Sequence, residues 1–305
     1  MNNVENINKN GKPARVLVAP LDWGLGHATR CIPVINALLE QGATVILAAE
    51  GAVATILKNE FPALRILPLK GYNIRYSRQK SWFFFKMMAQ MPKIAAIINY
   101  EKRWLRDVIR RENIDLIISD NRFGLYSSLV PSYYITHQLF IETGNSLLNR
   151  LAQKIHYSFI NKYTQCWVPD AEGEIDLAGK LSHPDKKPAI SVKYLGILSR
   201  FKKEEIPVKN DLLILISGPE PQRSIFENFI LEQLKEINQS TVLVRGLPGE
   251  TKELKIENDL VTIVNHLPAG ELNTIIAASK TIICRAGYST IMDLVTLNKN
   301  AILVP

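Results

Sequence analysis

The chain has 305 residues, 47% of them apolar and 22% charged, which suits one large or two ordinary globular domains and excludes global disorder. The formal charge is +8, the first ten residues are polar without an apolar core, and no apolar run is long enough to span a bilayer; neither a secretion signal nor a membrane-spanning helix is expected. The three cysteines, Cys31, Cys166 and Cys284, are far apart and odd in number, which favours buried thiols in a reduced, cytoplasmic compartment over a disulfide framework.

After a loose tail over residues 1–10, RVLVAP (15–20) reads as a buried strand. The glycine-bearing turn DWGLGHATR (22–30) leads into a helix marked by Ile32, Ile35, Leu38 and Leu39, stopped at Gly42. TVILAA (44–49) is the next strand, completing a strand–turn–helix–strand unit, and LRILPL (64–69) the third.

A helical pattern then runs from about residue 79 to 112, with a kink or break expected at Pro92. Between Tyr72 and Arg111 lie ten Lys/Arg against two acids, so the rest of the chain is nearly neutral. Trp82, Phe83, Phe84, Phe85, Met87 and Met88 lie in the same stretch. Basic residues interleaved with aromatics suit an anionic membrane surface or a lipid-linked acceptor; a solvated basic helix face is the structural alternative. Nucleic acid is not an expected partner, although charge alone would allow it.

Strands follow at IDLIISD (114–120), SYYIT (132–136) and QCWVP (165–169), with a helix over 146–162. Residues 170–209 are less regular and hold Pro184, Pro188 and Pro207. The expected division is an N-terminal domain over 1–199, a linker over 200–209 and a C-terminal domain over 210–305. Alternation restarts with strands at 211–217, 240–246, 260–264, 281–287 and 301–305, and helices at 224–238, 269–279 and 289–298. This pattern predicts an α/β protein with two largely parallel sheets and ligands at the carboxyl ends of the strands. The chain stops at Pro305 directly after a strand, so it reads as shortened at its C-terminus.

Three strand-to-helix turns carry candidate chemistry. In the first, Gly24 and Gly26 allow close backbone approach, the helix N-terminus suits an anion, and His27 is placed to accept a proton. Asp22 is a second candidate base, and Arg30 can neutralise an anion or pair with a carboxylate. In CRAGYSTIMDL (284–294), Gly287 opens the turn, Arg285 adds charge, and Ser289 and Thr290 can donate to phosphate. Asp293, one helical turn on, can take ribose hydroxyls. ISGPEPQR (216–223) offers Gly218 and Arg223, or simply a stiff structural loop. Asp120 ends a strand, and Thr136 and His137 follow another, as candidate acceptor contacts. His156, His183 and His266 have no metal-ligand spacing with the cysteines, and neither a metal nor a cofactor is expected.

RVLVAPLDWGLGHATR, THQ, ISGPEPQR and above all RAGYSTIMDL together resemble the family 28 glycosyltransferases of the GT-B fold. The resemblance runs from Arg15 to Pro305, and its best-known member adds N-acetylglucosamine to a lipid-linked peptidoglycan precursor. It implies two Rossmann-like domains with an interdomain cleft, the acceptor site N-terminal and the nucleotide-sugar site C-terminal, and metal-independent transfer with inversion from a UDP-sugar. It gives Gly24, Gly26 and His27 to the diphosphate and acceptor, and Arg285, Gly287, Thr290 and Asp293 to the nucleotide. His266 and Leu267 would lie against the base by their backbones, and His137 would touch the acceptor. The family's usual Glu at the last of the nucleotide positions is here the shorter Asp293. A nucleotide-sugar hydrolase and a non-catalytic nucleotide-sugar-binding module are the alternatives on the same architecture. Peripheral contact with the inner membrane face is the expectation drawn from the basic stretch.

Overall fold

A computed structural model describes residues 11–74, 83–173 and 176–305, with residues 83–87 described by backbone alone. The expected N-terminal tail and the aromatic side chains Trp82, Phe83, Phe84 and Phe85, with Met87, lie outside the described residues.

The N-terminal sheet has seven parallel strands in the order β3-β2-β1-β4-β5-β6-β7. These are β1 (Arg15–Pro20), β2 (Thr44–Ala49), β3 (Arg65–Pro68), β4 (Leu116–Asp120), β5 (Ser132–Ile135), β6 (Gln165–Val168) and β7 (Val192–Tyr194). α1 (Leu25–Glu40) and α2 (Gly51–Glu60) pack on one face around Val16, Val18, Leu47 and Ile118. α3 (Phe83–Glu112) covers the other face through Leu105, Val108 and Ile109 against Leu17, Ala19 and Ile117. α4 (Ser146–Ile160) buries Tyr157 and Ile160 against Tyr134 and Cys166. Both faces are covered, which is why the central strands are apolar throughout instead of alternating.

The C-terminal sheet has five parallel strands, β10-β9-β8-β11-β12. They are β8 (Asn210–Leu215), β9 (Thr241–Val244), β10 (Val261–Val264), β11 (Ser279–Arg285) and β12 (Ile302–Val304). α6 (Ala269–Ala277) and α7 (Tyr288–Thr296) pack on one face around Leu213, Val244 and Cys284. α5 (Gln222–Gln233) covers the other through Ile230 against Leu212, Ile214 and Leu243. The protein is thus two Rossmann-like units, each a doubly wound sheet whose strand order reverses beside its first strand.

Three expectations change. Of the kink or break expected at Pro92, the break does not occur: one helix spans Phe83–Glu112 with Pro92 inside it. Pro92 is exposed, and so is Met88 one turn earlier, whose freed carbonyl can bond to water. α2 and β7 were not foreseen: α2 buries only Val53, Ile56 and Leu57, and β7 is three residues of an edge strand. Among the described residues no helix is long and apolar enough to cross a membrane.

Residues following β7 fasten onto the second unit. Phe201 is buried in the C-terminal core. Asn273 clasps the Lys202 backbone, accepting from its N–H at 3.3 Å and donating to its carbonyl at 3.0 Å.

Candidate functional site at the meeting of two helix N-termini

The strands of each sheet are parallel, so their carboxyl ends form one rim. In the N-terminal sheet, Pro20 of β1 is paired with Asp120 of β4, and Asp120 with Ile135 of β5. That register brings the turn after β1, Asp120 and the Thr136–His137 turn together at the point where the strand order reverses. Gly24 turns the chain into α1 with φ +123°, a conformation strained for any side chain.

Alternation along β4 puts Asp120 on the same face as Ile118, toward α1. One turn apart on α1, His27 and Arg30 meet it. Arg30 donates through Nε to Asp120 Oδ2 at 2.8 Å and through Nη2 to Oδ1. His27 Nδ1 lies 3.1 Å from Oδ2 and 2.7 Å from Arg30 Nη2. Arg30 Nη1 reaches His137 Nδ1 at 2.9 Å. Asp120 is fully buried and Arg30 nearly so.

The cluster is electrostatically balanced. Burial alone would raise the Asp120 carboxyl, but Arg30 and His27 hold it down to about 2. Burial, then Arg30, lowers His27 against the opposing pull of Asp120. Burial and Arg30 also push His137 down to about 3. At neutral pH the cluster is therefore one carboxylate, one guanidinium and neutral imidazoles.

The C-terminal rim is built differently. Leu215 of β8 pairs with Cys284 of β11, which sets the Ser217–Gly218 turn beside Arg285 and Gly287. Gly218 has φ +107°, and a Cβ there would lie 2.6 Å from Arg285 Nη1. The Arg285 guanidinium has no hydrogen-bond or ion-pair partner among the described residues. A Cβ on Gly287 would face the hydroxyls of Thr290 at 3.6 Å and Ser217 at 4.0 Å. Asp293 accepts from Ser199 Oγ at 2.5 Å, and burial raises its carboxyl to about 6 despite that bond and Arg200.

The two rims touch. Ser289 Oγ donates to the Gly26 carbonyl at 2.9 Å, and a Cβ on Gly26 would lie 2.8 Å from that oxygen. Tyr288 stacks on His137 with centroids 4.1 Å apart and planes 6° from parallel, and its hydroxyl donates to the Pro169 carbonyl at 2.7 Å. The N-termini of α1 and α7 therefore face one another. Each presents unpaired N–H groups and a positive dipole end, which together suit an anion.

Several sequence-based assignments change. Asp22 was a candidate base, but its two oxygens accept from the Tyr72 and Asn73 backbone, both at 2.8 Å, and anchor that loop. Asp120 and Thr136 were candidate acceptor contacts. Both are fully buried: Asp120 holds Arg30 and His27, and Thr136 Oγ1 accepts from the Gln138 backbone at 3.0 Å. Arg223 was a candidate for the donor; it is buried and held by Glu220 at 2.7 Å and Glu227 at 2.8 Å, its charge already neutralised. Ser289 bonds the opposite unit rather than standing free. The Leu267 side chain is buried in the core and His266 beside it is partly covered; the part expected of both is through their backbones, which side-chain burial does not alter. Gly24, Gly26, His27, His137, Gly218, Arg285, Gly287, Thr290 and Asp293 do lie along the two facing rims.

Sequence reasoning missed Ser199, Ser217 and Arg200. Arg200 is buried, with Nε and Nη1 lacking hydrogen-bond partners among the described residues and its nearest carboxylate, Glu60, at 3.6 Å. No periodicity or motif marked it, because its surroundings come from α2 and α7, far away in the chain. Asp170, Asp176 and His183 place ligand-type atoms within 4.8 Å of one another. Asp170, however, already accepts from three backbone N–H groups and from Ser182 Oγ, and so serves as a loop anchor.

Residues 221–305 match the Glycosyltransferase family 28 C-terminal domain. No curated protein matches the chain. Among solved structures, the glycotransferase of kitacinnamycin is similar at 15% identity and TM-score 0.61, over 96% of this chain and 80% of its own. A Streptomyces sp. SF2575 glycosyltransferase complexed with thymidine diphosphate is similar at 12% identity and TM-score 0.60, over 96% and 82%. Phytolacca americana UGT2, complexed with UDP-2fluoro-glucose and pterostilbene, is similar at 11% identity and TM-score 0.58, over 96% and 80%. The chain has the two-unit GT-B fold of these glycosyltransferases, and its last 85 residues match a family 28 C-terminal domain.

Proposed function

We propose that this protein transfers a sugar from a nucleoside-diphosphate sugar, a UDP-sugar in the first instance, to an acceptor hydroxyl with inversion. The observation that carries this reading is the approach of two glycine-opened helix N-termini, one beside an imidazole on a buried carboxylate and the other beside Arg285, which has no partner among the described residues. The diphosphate takes the N–H groups of the α7 turn, the Thr290 hydroxyl and Arg285. Asp293 and Ser199 face the ribose, and the buried Arg200 meets nucleotide oxygens. In the tautomer that donates Nδ1–H to Asp120 Oδ2, His27 accepts the hydroxyl proton at Nε2. The acceptor oxygen bonds to the anomeric carbon as the bond from that carbon to the diphosphate oxygen breaks.

The acceptor is proposed to be lipid-linked or met at a membrane surface. α4 exposes Leu147, Leu151 and Ile155 at helical spacing, with Leu148 alongside and exposed Arg150 and Lys154 on the same helix. Apolar residues flanked by cations suit an anionic interface.

Titration calorimetry of UDP, with GDP and TDP as controls, tests the donor half. Binding of UDP that Asp293→Ala abolishes supports it; absence of binding by all three sinks it. Sugar release that does not depend on an added acceptor would instead identify a hydrolase. Binding with no turnover and no effect of His27→Ala would identify a binding module.

A further inference from the structure

We propose that Arg30 is a positioning residue: its guanidinium clamps Asp120, the carboxylate that faces His27 Nδ1, and engages the Nδ1 edge of His137, leaving Nε2 of each ring for substrate. The proposal rests on His27 being the proton acceptor.

The geometry is specific to a fork. Nε and Nη2 take the two oxygens of Asp120, and Nη1, on the remaining edge, reaches His137 Nδ1 at 2.9 Å. A guanidinium only donates, so this contact requires an unprotonated Nδ1 on His137. Its proton then sits on Nε2, and His137 offers the cleft a neutral hydrogen-bond donor. Stacking on Tyr288 fixes the plane of that donor from the opposite unit. A donor without charge can orient an acceptor hydroxyl without competing for its proton.

At His27 the effect is electrostatic as well as geometric. Its surroundings comprise Arg30 on the same helix, Asp22 on the preceding turn, Asp120 of β4, Cys31 against Asp120, and His137 after β5 with Tyr288 of α7 stacked on it. Asp120 pulls the His27 titration upward, and burial first and Arg30 second pull it down. With burial, Arg30 offsets that carboxylate, so the ring stays neutral and able to accept a proton while Asp120 remains to receive Nδ1–H. Nη2 also lies 2.7 Å from Nδ1, and because a guanidinium only donates, that contact and an Nδ1–H bond to Asp120 belong to opposite tautomers of His27; the proton-accepting form is the one whose Nδ1–H points to Asp120 Oδ2. Removing the guanidinium releases all these constraints together.

Ring-nitrogen NMR of 15N-histidine-labelled protein without substrate tests this directly. In the wild type, His137 is expected as the neutral Nε2–H form from about pH 5 to 8. An Nδ1–H or charged His137 in that range overturns the proposal, and this measurement needs no variant to fold. In Arg30→Gln, the His27 titration is expected to rise by about one pH unit or more, with mixed His137 tautomers. Arg30→Lys restores the charge and returns His27 toward its wild-type titration while His137 remains mixed. An unchanged His27 titration in Arg30→Gln overturns the proposal. In turnover, the acidic limb of kcat/KM should move to higher pH in Arg30→Gln; a loss equal at every pH marks a merely structural role. His27→Gln separates the two ideas. If it retains turnover, His27 is not the base, and the substrate-free spectra still decide what Arg30 does.

Discussion

The turns after β1 and β11 each lie beside the point where the strand order of their own sheet reverses, yet their polar groups are used in opposite ways. Around the first, Arg30 and Asp120 satisfy one another, and both histidines are drawn into the network. Around the second, Arg285 has no partner among the described residues, and Asp293 keeps one hydrogen bond, to Ser199. A saturated network holds a proton acceptor at fixed geometry and resists ligand-induced change. An unsaturated one leaves hydrogen-bonding capacity for a ligand to complete. The N-terminal rim thus suits chemistry and the C-terminal rim suits binding.

The strongest test of this contrast is Asp120→Ala. It leaves buried Arg30 without its carboxylate and is expected to cost about 3–5 kcal/mol of stability, measured by urea unfolding. Because Asp120 is depressed to about 2 from 3.8, its ionic contribution is complete above the unfolded value and lost as pH falls through the folded one. Wild-type stability should therefore decline between about pH 4 and 2, and Asp120→Asn should flatten that decline. A variant as stable as the wild type would show that the N-terminal network is not saturated.

Next comes His27→Ala, expected to lower turnover by about 10²–10⁴-fold with nucleotide affinity nearly unchanged. Equal losses in both would place His27 in the donor site instead. Arg285→Ala should do the reverse: stability within about 0.5 kcal/mol of wild type and UDP affinity about tenfold weaker or more. An Arg285→Ala protein that unfolds readily would mean the residue has a structural partner.

Asp293 offers a smaller, pH-dependent test. Burial raises it to about 6, so it ionises as pH rises through that value and then accepts ribose hydroxyls more strongly. UDP affinity should increase from about pH 5 to 7, and Asp293→Asn should remove the trend. The smallest effect concerns the contact between rims. Gly26→Ala puts a Cβ 2.8 Å from Ser289 Oγ and should weaken UDP binding by about 1 kcal/mol. Adding Ser289→Gly should restore it; no restoration would show that the two helix ends do not need to meet.

Much of this was legible in the chain. Apolar runs such as RVLVAP and IDLIISD specify buried strands, and glycines at strand ends specify turns close to ligands. The motif positions His27, Arg285, Gly287 and Asp293 do lie on the two rims. α2 escaped notice because three buried residues give little periodic signal. Arg223 misled because an arginine in a strand-to-helix turn reads as an anion ligand until Glu220 and Glu227 are seen beside it.

The sequence by itself determined alternating strands and helices, two sheets and two glycine turns, because these follow from local periodicity and backbone freedom. Tertiary structure alone decided the use of each polar group. Asp120 lies 90 residues from Arg30, Ser289 lies 263 from Gly26, and Asp293 lies 94 from Ser199. Whether a charge is neutralised or left for a ligand depends on what packing brings within hydrogen-bond reach, and no local pattern encodes that distance.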